Sequence, residues 1–406
     1  MSTAVGLLEL VDEARPGERV EVFARRTETA LMERALTTMN ALWQIEVRSA
    51  VGDEFGASIT QDPAVPAVRA ALAAARRVRS LAPARERRNA APAPLAIHPV
   101  HDDAGPDLDG LSALLDRIDE ETVLAADGIT TTFLADSTGR HGSYQRRESQ
   151  LLIRGRGAMG ASLAGDLTGL RVEEARAEFR FASETLRLPE AEAESLDWIL
   201  LAPLATAQVL SSVSPLVCAE QEWPSEMIAS PAVTLVDDGT LREGPATTPF
   251  DDNGVPRRRT VVIKDGRPGT LLGASTGNSR RGDWTTGTTI RPTTMYLRPS
   301  TGAHPEPAAP PGTGLHVDAV TGLRARGRIA NARVQLGLSG RVIEDGVPLG
   351  SAAMRLDVTL PELLRSVVRV HGLPRFYRIN GVFGGSSCLL QGLPLTRAPG
   401  RVLGGR

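Results

Sequence analysis

From Ala232 onward the sequence falls into short runs in which apolar and polar residues alternate, and this period of two restricts the fold more than any other feature. AVTLVDD, RTVVIKDG, GTLLGAS, TTMYLRP, LHVDAVTG, ARVQLGLSGRVIEDG and AAMRLDV each read as a strand with one face turned to a core. A Pro/Gly loop, STGAHPEPAAPPGTG, interrupts the series. LPELLRSVVRVHG then predicts a helix, and SSCLLQGLPLTR a last strand. Aromatics are only 4% of the chain, so the core must rest on Leu, Val, Ile and Ala.

The first half is patterned differently. MSTAVGLLELVDEARPGERV reads as a small amphipathic helix; it lacks the basic start of a signal peptide. RVEVFARR, ALWQIEVRSA and EFGASIT alternate as strands of a half-exposed antiparallel sheet. PAVRAALAAARRVRSL is Ala-rich with Val68, Leu72 and Val78 near helical spacing. PARERRNAAPAPLAIHPVHDDAGPD is a surface connection, and DLDGLSALLDRIDEE places Leu108, Leu111, Leu115 and Ile118 on one helical face. Two strands flank a polar turn from Ser137 to Ser143. RVEEARAEFRFASETLRL predicts a charged surface helix, WILLAP a buried strand, and LATAQVLSSVSP a short helix running into Pro215. The fold class is α+β: an N-terminal mixed helix/antiparallel-sheet domain, residues 1–195, and a C-terminal mainly antiparallel β domain, residues 196–406.

Composition excludes several functions. Lys+Arg 46 against Asp+Glu 48 leaves a net charge of -2, so nothing draws the chain as a whole to nucleic acid or an anionic membrane. No apolar run is long enough to span a bilayer. Two distant cysteines, Cys218 and Cys388, rule out a disulfide framework and fit a reducing cytoplasm.

Four motifs carry possible chemistry. GRGAMG, Gly155 to Gly160, fits G-x-G-x-x-G with Glu173 or Glu174 downstream. Yet Gly165 and Gly169 fall in the would-be helix, which favours a flexible glycine loop. GASTG, Gly273 to Gly277, fits a nucleophile elbow with Ser275 attacking and Asp318 and His371 following in order. The elbow needs a helix after the serine, and NSRRGDWTTGTT has a loop composition. Of the histidines His98, His101, His141, His304, His316 and His371, only the first two are close, and no H-E-x-x-H or H-E-x-x-x-H occurs. Cys388 is a possible ligand or nucleophile, but its apolar strand suits a buried structural thiol.

FDDNGVPRRR, Phe250 to Arg259, suits a metal site, a phosphate clamp or a turn. An EF-hand with Gly254 at its sixth position would start at Pro249 and end at Thr260, which excludes calcium of that kind. Asn253-Gly254 is a turn signal, and Asp251 and Asp252 can hold it through hydrogen bonds to backbone N–H groups.

SPAVTLVDDGTL, TTPFDDNGVPRRRTVVIKDGRPGTLL, STGNSRRG and PTTMYLRPSTG, in that order, resemble the central signature of the TldD/TldE (PmbA) family. The resemblance implies a cytoplasmic protein acting on peptides or, in some relatives, on natural-product intermediates. It makes Asp237, Asp238, Gly239, Asp251, Asp252 and Gly254 scaffold shared by active and inactive members. TldD members carry zinc on an H-E-x-x-x-H helix; TldE members lack it. The corresponding segment here, Leu204 to Trp223, has Thr206, Ala207, Gln208, Val209, Leu210 and Ser211 instead. A TldE-like, non-catalytic subunit is therefore expected, with no metal of its own and a homologous TldD-like partner holding the zinc. Its contribution to the substrate cavity is expected from Thr276, Asn278, Arg280 and Arg281. The alternatives are a hydrolase using Ser275 or Cys388, and a free-standing binding protein of the same fold.

Overall fold

The computed structural model describes residues 9–33, 36–52, 54–79, 105–119, 122–192, 195–218, 228–242, 244–282, 288–300 and 310–398. Residues 1–8 of the expected N-terminal helix, residues 83–104 of the Pro/Ala/Arg connection with His98 and His101, most of the Pro/Gly loop with His304, and Trp223 lie outside the described residues; of the expected helix only Glu9 to Val11 is helical among the described residues, and Glu18 already begins a strand. Strands β1 (Glu18–Glu33), β2 (Leu36–Val51) and β3 (Glu54–Thr60) precede helices α1 (Val65–Val78) and α2 (Leu108–Leu115). Strands β4 (Thr122–Asp136), β5 (His141–Gly155) and β6 (Ala158–Ala164) lead to α3 (Val172–Arg187). The six strands form one antiparallel sheet in the order β3-β2-β1-β4-β5-β6. Alternation sorts its faces. Val20, Val22 and Ala24 of β1 are buried with α1, and Ala30 and Met32 with α2. Glu21, Phe23, Arg25, Thr27 and Thr29 occupy the opposite face.

The rest of the chain builds a second sheet. Strand β7 (Trp198–Leu201) and helix α4 (Pro203–Val217) are followed by β8 (Leu235–Asp238), β9 (Arg259–Lys264) and β10 (Arg267–Pro268). Next come β11 (Ser279–Arg281), β12 (Thr288–Ile290), β13 (Thr294–Leu297), β14 (Thr313–Arg326), β15 (Arg333–Glu344) and β16 (Val347–Thr359). Helix α5 (Leu360–Arg365), β17 (Val367–Arg378), β18 (Val382–Gln391) and β19 (Leu395–Arg397) close the chain. The order is β10-β9-β8-β13-β18-β7-β14-β15-β16-β19, with β17 on β18. Most pairs are antiparallel, but β13 with β18 and β7 with β14 are parallel, so the sheet is mixed. The largest apolar core joins α4 to this sheet. The α+β class holds. Among the described residues no helix is long and apolar enough to cross a membrane.

Several elements differ from the sequence reading. GTLLGAS is not a strand: Gly269 and Thr270 donate to Val262 and Val261, and Leu272 then turns to Val217 on α4. The helix at LPELLR stops at Arg365, after which VVRVHG runs on as β17, because its β-branched residues pair along β18. Helix α4 does not stop before Pro215 but includes it. Proline cannot donate to the carbonyl of Ser211, and the Ser214 hydroxyl does so instead at 3.0 Å. Helix α3 is not a free surface helix. It lies on β6 and touches β14, β15 and β16, forming the seam between the two sheets.

Candidate functional site

FDDNG is the clamp between the two sheets. Phe250 is buried against Phe23, Leu134 and Tyr144 on the second face of the N-terminal sheet, its ring edge-on to Tyr144 at 5.0 Å. The two carboxylates that follow are divided. Asp251 spends its oxygens on backbone: Oδ1 accepts from Asn253 and Val255, both at 2.9 Å, and Oδ2 from Ser279 at 2.8 Å. Gly254 takes the left-handed turn position at φ 77°. Asp252 is an ion-pair partner. Its Oδ1 meets the Arg25 guanidinium at 2.7 Å and its Oδ2 accepts from the Arg281 N–H at 2.8 Å. Burial raises the Asp252 pKa; Arg25 and Arg280 outweigh it and hold the carboxyl well below the usual range. Burial pushes the Asp251 pKa up, against Arg257 and its backbone donors.

The other signature residues brace the same loops. Asp237 accepts from Asn278 at 2.6 Å and from the Thr293 and Thr294 N–H groups at 2.8 and 2.9 Å; burial lifts its pKa to about 6. Asp238 accepts from the N–H and hydroxyl of Thr240. A Cβ at Gly239 would crowd the Arg257 side chain at 3.0 Å. Arg257 in turn donates to the Gly277 carbonyl and to Thr293.

The residues expected to line a cavity are redistributed. Thr276 and Asn278 are buried, with the Thr276 hydroxyl donating to Asn278 Oδ1 at 2.7 Å. Arg281 has 0% side-chain exposure, because it pairs with Glu21 and Glu46, donates to the Asp252 carbonyl and lies 4.7 Å from the Phe23 ring centre. These three side chains are buried within the chain. Arg280, at 39% side-chain exposure, is the member of the set that meets solvent. Arg25, Glu21 and Glu46, which complete the clamp, were not singled out from the sequence. Their signal was charge recurring at period two in strands assigned one solvent face.

The other motifs resolve into structure. GRGAMG is a hairpin, not a flexible loop: β5 turns into β6 at Arg156 and Gly157, both at positive φ. The last glycine admits α3, since a Cβ at Gly160 would lie 1.9 Å from the Ala175 carbonyl oxygen. Ser275 is exposed in a single 3-10 turn, Ala274–Thr276. Asp318 lies beside Thr185 and Arg341, with its pKa raised by burial to about 6. His371 is buried in β17 opposite Ser387. Burial pushes the Cys388 thiol up to about 12, which suits an inert core residue. Among the described residues no three His, Cys, Asp or Glu side chains converge as metal ligands.

A cleft of about 730 Å³ opens beside this frame, lined by Arg171, just before α3, and by Tyr296, Arg298, Leu373 and Phe376. A depression of about 470 Å³ shares Arg171 and Phe376 with it and reaches the edge of β6. At the seam, Glu178 of α3 accepts from Tyr377, and Arg375 reaches both Glu178 and Glu174.

Residues 185–396 match the family model described as the PmbA/TldA metallopeptidase C-terminal domain. The chain belongs to the TldD/TldE (PmbA) family. A curated relative, the metalloprotease TldD homolog of Haemophilus influenzae, is 41% identical over 66 residues; the match spans 14% of this chain and 14% of that protein. The fold is similar to that of TldE from Thermococcus kodakarensis, with 16% identity, a TM-score of 0.71, and coverage of 97% of this chain and 99% of that one. It is also similar to a Thermotoga maritima protein described as a candidate modulator of a DNA gyrase, at 17% identity and TM-score 0.66, covering 97% and 99% of the two chains. A Bacteroides thetaiotaomicron protein described in the same way gives 15% identity and TM-score 0.71, covering 98% of each chain.

Proposed function

We propose that this chain is a TldE-like, non-catalytic subunit completing the substrate cavity of a homologous TldD-like partner, and that the partner carries the zinc. The pair acts in the cytoplasm on peptides or a peptide-like natural-product intermediate. In this reading residues 1–195 and 196–406 are the two domains, and neither nucleic acid nor membrane is a ligand.

Helix α4 carries the reading. By the family resemblance it stands where zinc-bearing members place H-E-x-x-x-H. Here Gln208 and Ser211 are structural: Gln208 Oε1 accepts from the Val320 N–H at 3.0 Å, and Ser211 donates to the Ile379 carbonyl at 2.8 Å. An amide and hydroxyls so engaged do not fit a zinc site, which takes thiolate, imidazole or carboxylate. A chain that keeps the clamp without that donor set supplies surface, through an obligate-type interface larger than about 2,000 Å² in total.

The test mixes the purified chain with a zinc-bearing homologue encoded beside it and assays a short peptide or acylated metabolite. Activity is expected to need both chains, with well below one zinc on this one. Ser275→Ala and Cys388→Ala should leave turnover within a few-fold, since a true nucleophile loses orders of magnitude. A partner that is fully active alone and never co-elutes overturns the subunit reading. Loss of activity at Ser275 or Cys388 with the fold intact establishes a hydrolase in its own right.

A further inference from the structure

Four guanidinium groups share two carboxylates beside the clamp: Arg25 and Arg280 approach Asp252 at 2.7 and 3.9 Å, and Arg146 and Arg378 approach Glu148, Arg146 at 3.8 Å. Asp252 is committed to Arg25, and Glu148 to Arg378. Arg146 and Arg280 are left at distances too long for hydrogen bonds, with 17% and 39% side-chain exposure. The surplus of positive charge works against both side chains. The Arg25 charge, then burial, then Arg146, bring the Arg280 pKa down to about 10. Burial first, then Arg378 and Arg25, lower that of Arg146.

The register gives the surroundings. On the second face of the N-terminal sheet the clamp covers the row Phe23, Leu134 and the row Arg25, Thr132, Tyr144. The next rows are Thr27, Thr130, Arg146 and Thr29, Gly128, Glu148. Apart from Gly128 these residues carry polar side chains, and they are half-buried. Arg280 comes to this face from β11, and Arg378 from β17. A floor of hydroxyls at strand spacing, ending at two under-used guanidinium groups, suits an extended ligand with an anionic end.

We propose that Arg146 and Arg280 form a receptor for the terminal carboxylate of an extended, peptide-like ligand lying along Thr27, Thr29 and Thr130. A planar carboxylate takes paired N–H donors from two guanidinium groups and relieves their mutual repulsion. This deepens the cavity reading by naming what enters, and the site lies within one chain, so binding is measured without any partner.

The test is calorimetric titration of the full chain with N-acetyl-dialanine, its C-terminal amide and inorganic phosphate. The free acid is expected to bind and the amide not to. Arg146→Gln and Arg280→Gln should each weaken the acid about ten-fold or more, the loss of a charge-assisted contact. Should either variant fail to fold, phenylglyoxal labelling of the parent provides the same test: the acid should protect Arg146 and Arg280, and the amide should not. Equal binding of acid and amide, or parent-like binding by folded variants, overturns the proposal. Phosphate binding without acid binding overturns the carboxylate assignment.

Discussion

Replacing Asp252 by Asn tests whether the clamp holds the two sheets through charge. The substitution keeps an oxygen for the Arg281 N–H but removes the counter-charge from Arg25, whose side chain is only 6% exposed. Removing one partner of a buried pair typically costs about 3–5 kcal/mol, because the other charge is left uncompensated. For 406 residues, unfolding as one unit with about 2.1 cal/mol/K per residue, the unfolding entropy is about 0.9 kcal/mol/K. The expected fall in Tm is therefore about 3–6 °C, read by differential scanning calorimetry at pH 7. That pH is on the plateau: the folded pKa of Asp252 is depressed, so its contribution is present above the unfolded value near about 3.9 and is lost as pH falls toward the folded one. Arg25→Met in the Asp252→Asn background should recover at least half of the loss, since methionine keeps apolar contact with Phe23 and carries no charge. A fall below about 1 °C, or no recovery in the double variant, would refute the uncompensated-charge account.

Two further outcomes are expected. Gly160→Ala forces the new methyl against the Ala175 carbonyl and should lift α3 from β6, costing about 1–3 kcal/mol in urea unfolding; an unchanged midpoint would show that the seam is soft. Burial raises the pKa of Glu178, against Tyr377 and Arg375, to about 7, so the folded state keeps a proton that the unfolded chain loses near about 4.3. Stability should fall as pH rises through that window and level off above it, and Glu178→Gln should flatten the slope; a variant with the parent's pH dependence would sink the assignment.

Much of the architecture was legible along the chain because it depends on local chemistry. Alternation placed β1, β2, β4 and β5 and the long C-terminal strands, and Asn253-Gly254 marked its turn. The places where reading failed share a cause. Val367 to Gly372 follow a helix directly, and only pairing with β18 makes them a strand. GTLLGAS carries strand residues, yet its N–H groups are used by β9 and α4 in an irregular path. Gly160 fitted a nucleotide motif by spacing, whereas its role is set by a carbonyl on the helix that packs over it.

The candidate site divides in the same way. By itself the sequence determined the turn at FDDNG, the absence of zinc-ligand residue types from Thr206 to Ser211, and the alternation that puts Glu21, Phe23 and Arg25 on one face of β1. Only the tertiary structure decided that this face is half covered, so that Arg25 and Glu21 meet Asp252 and Arg281 across more than 200 residues of chain, burying Arg281 and leaving Arg280 partly exposed. Two adjacent arginines are identical in propensity and charge. Which one is spent as a buried ion pair depends on the strand's pleat and on what the other sheet brings opposite it, and that information is not local.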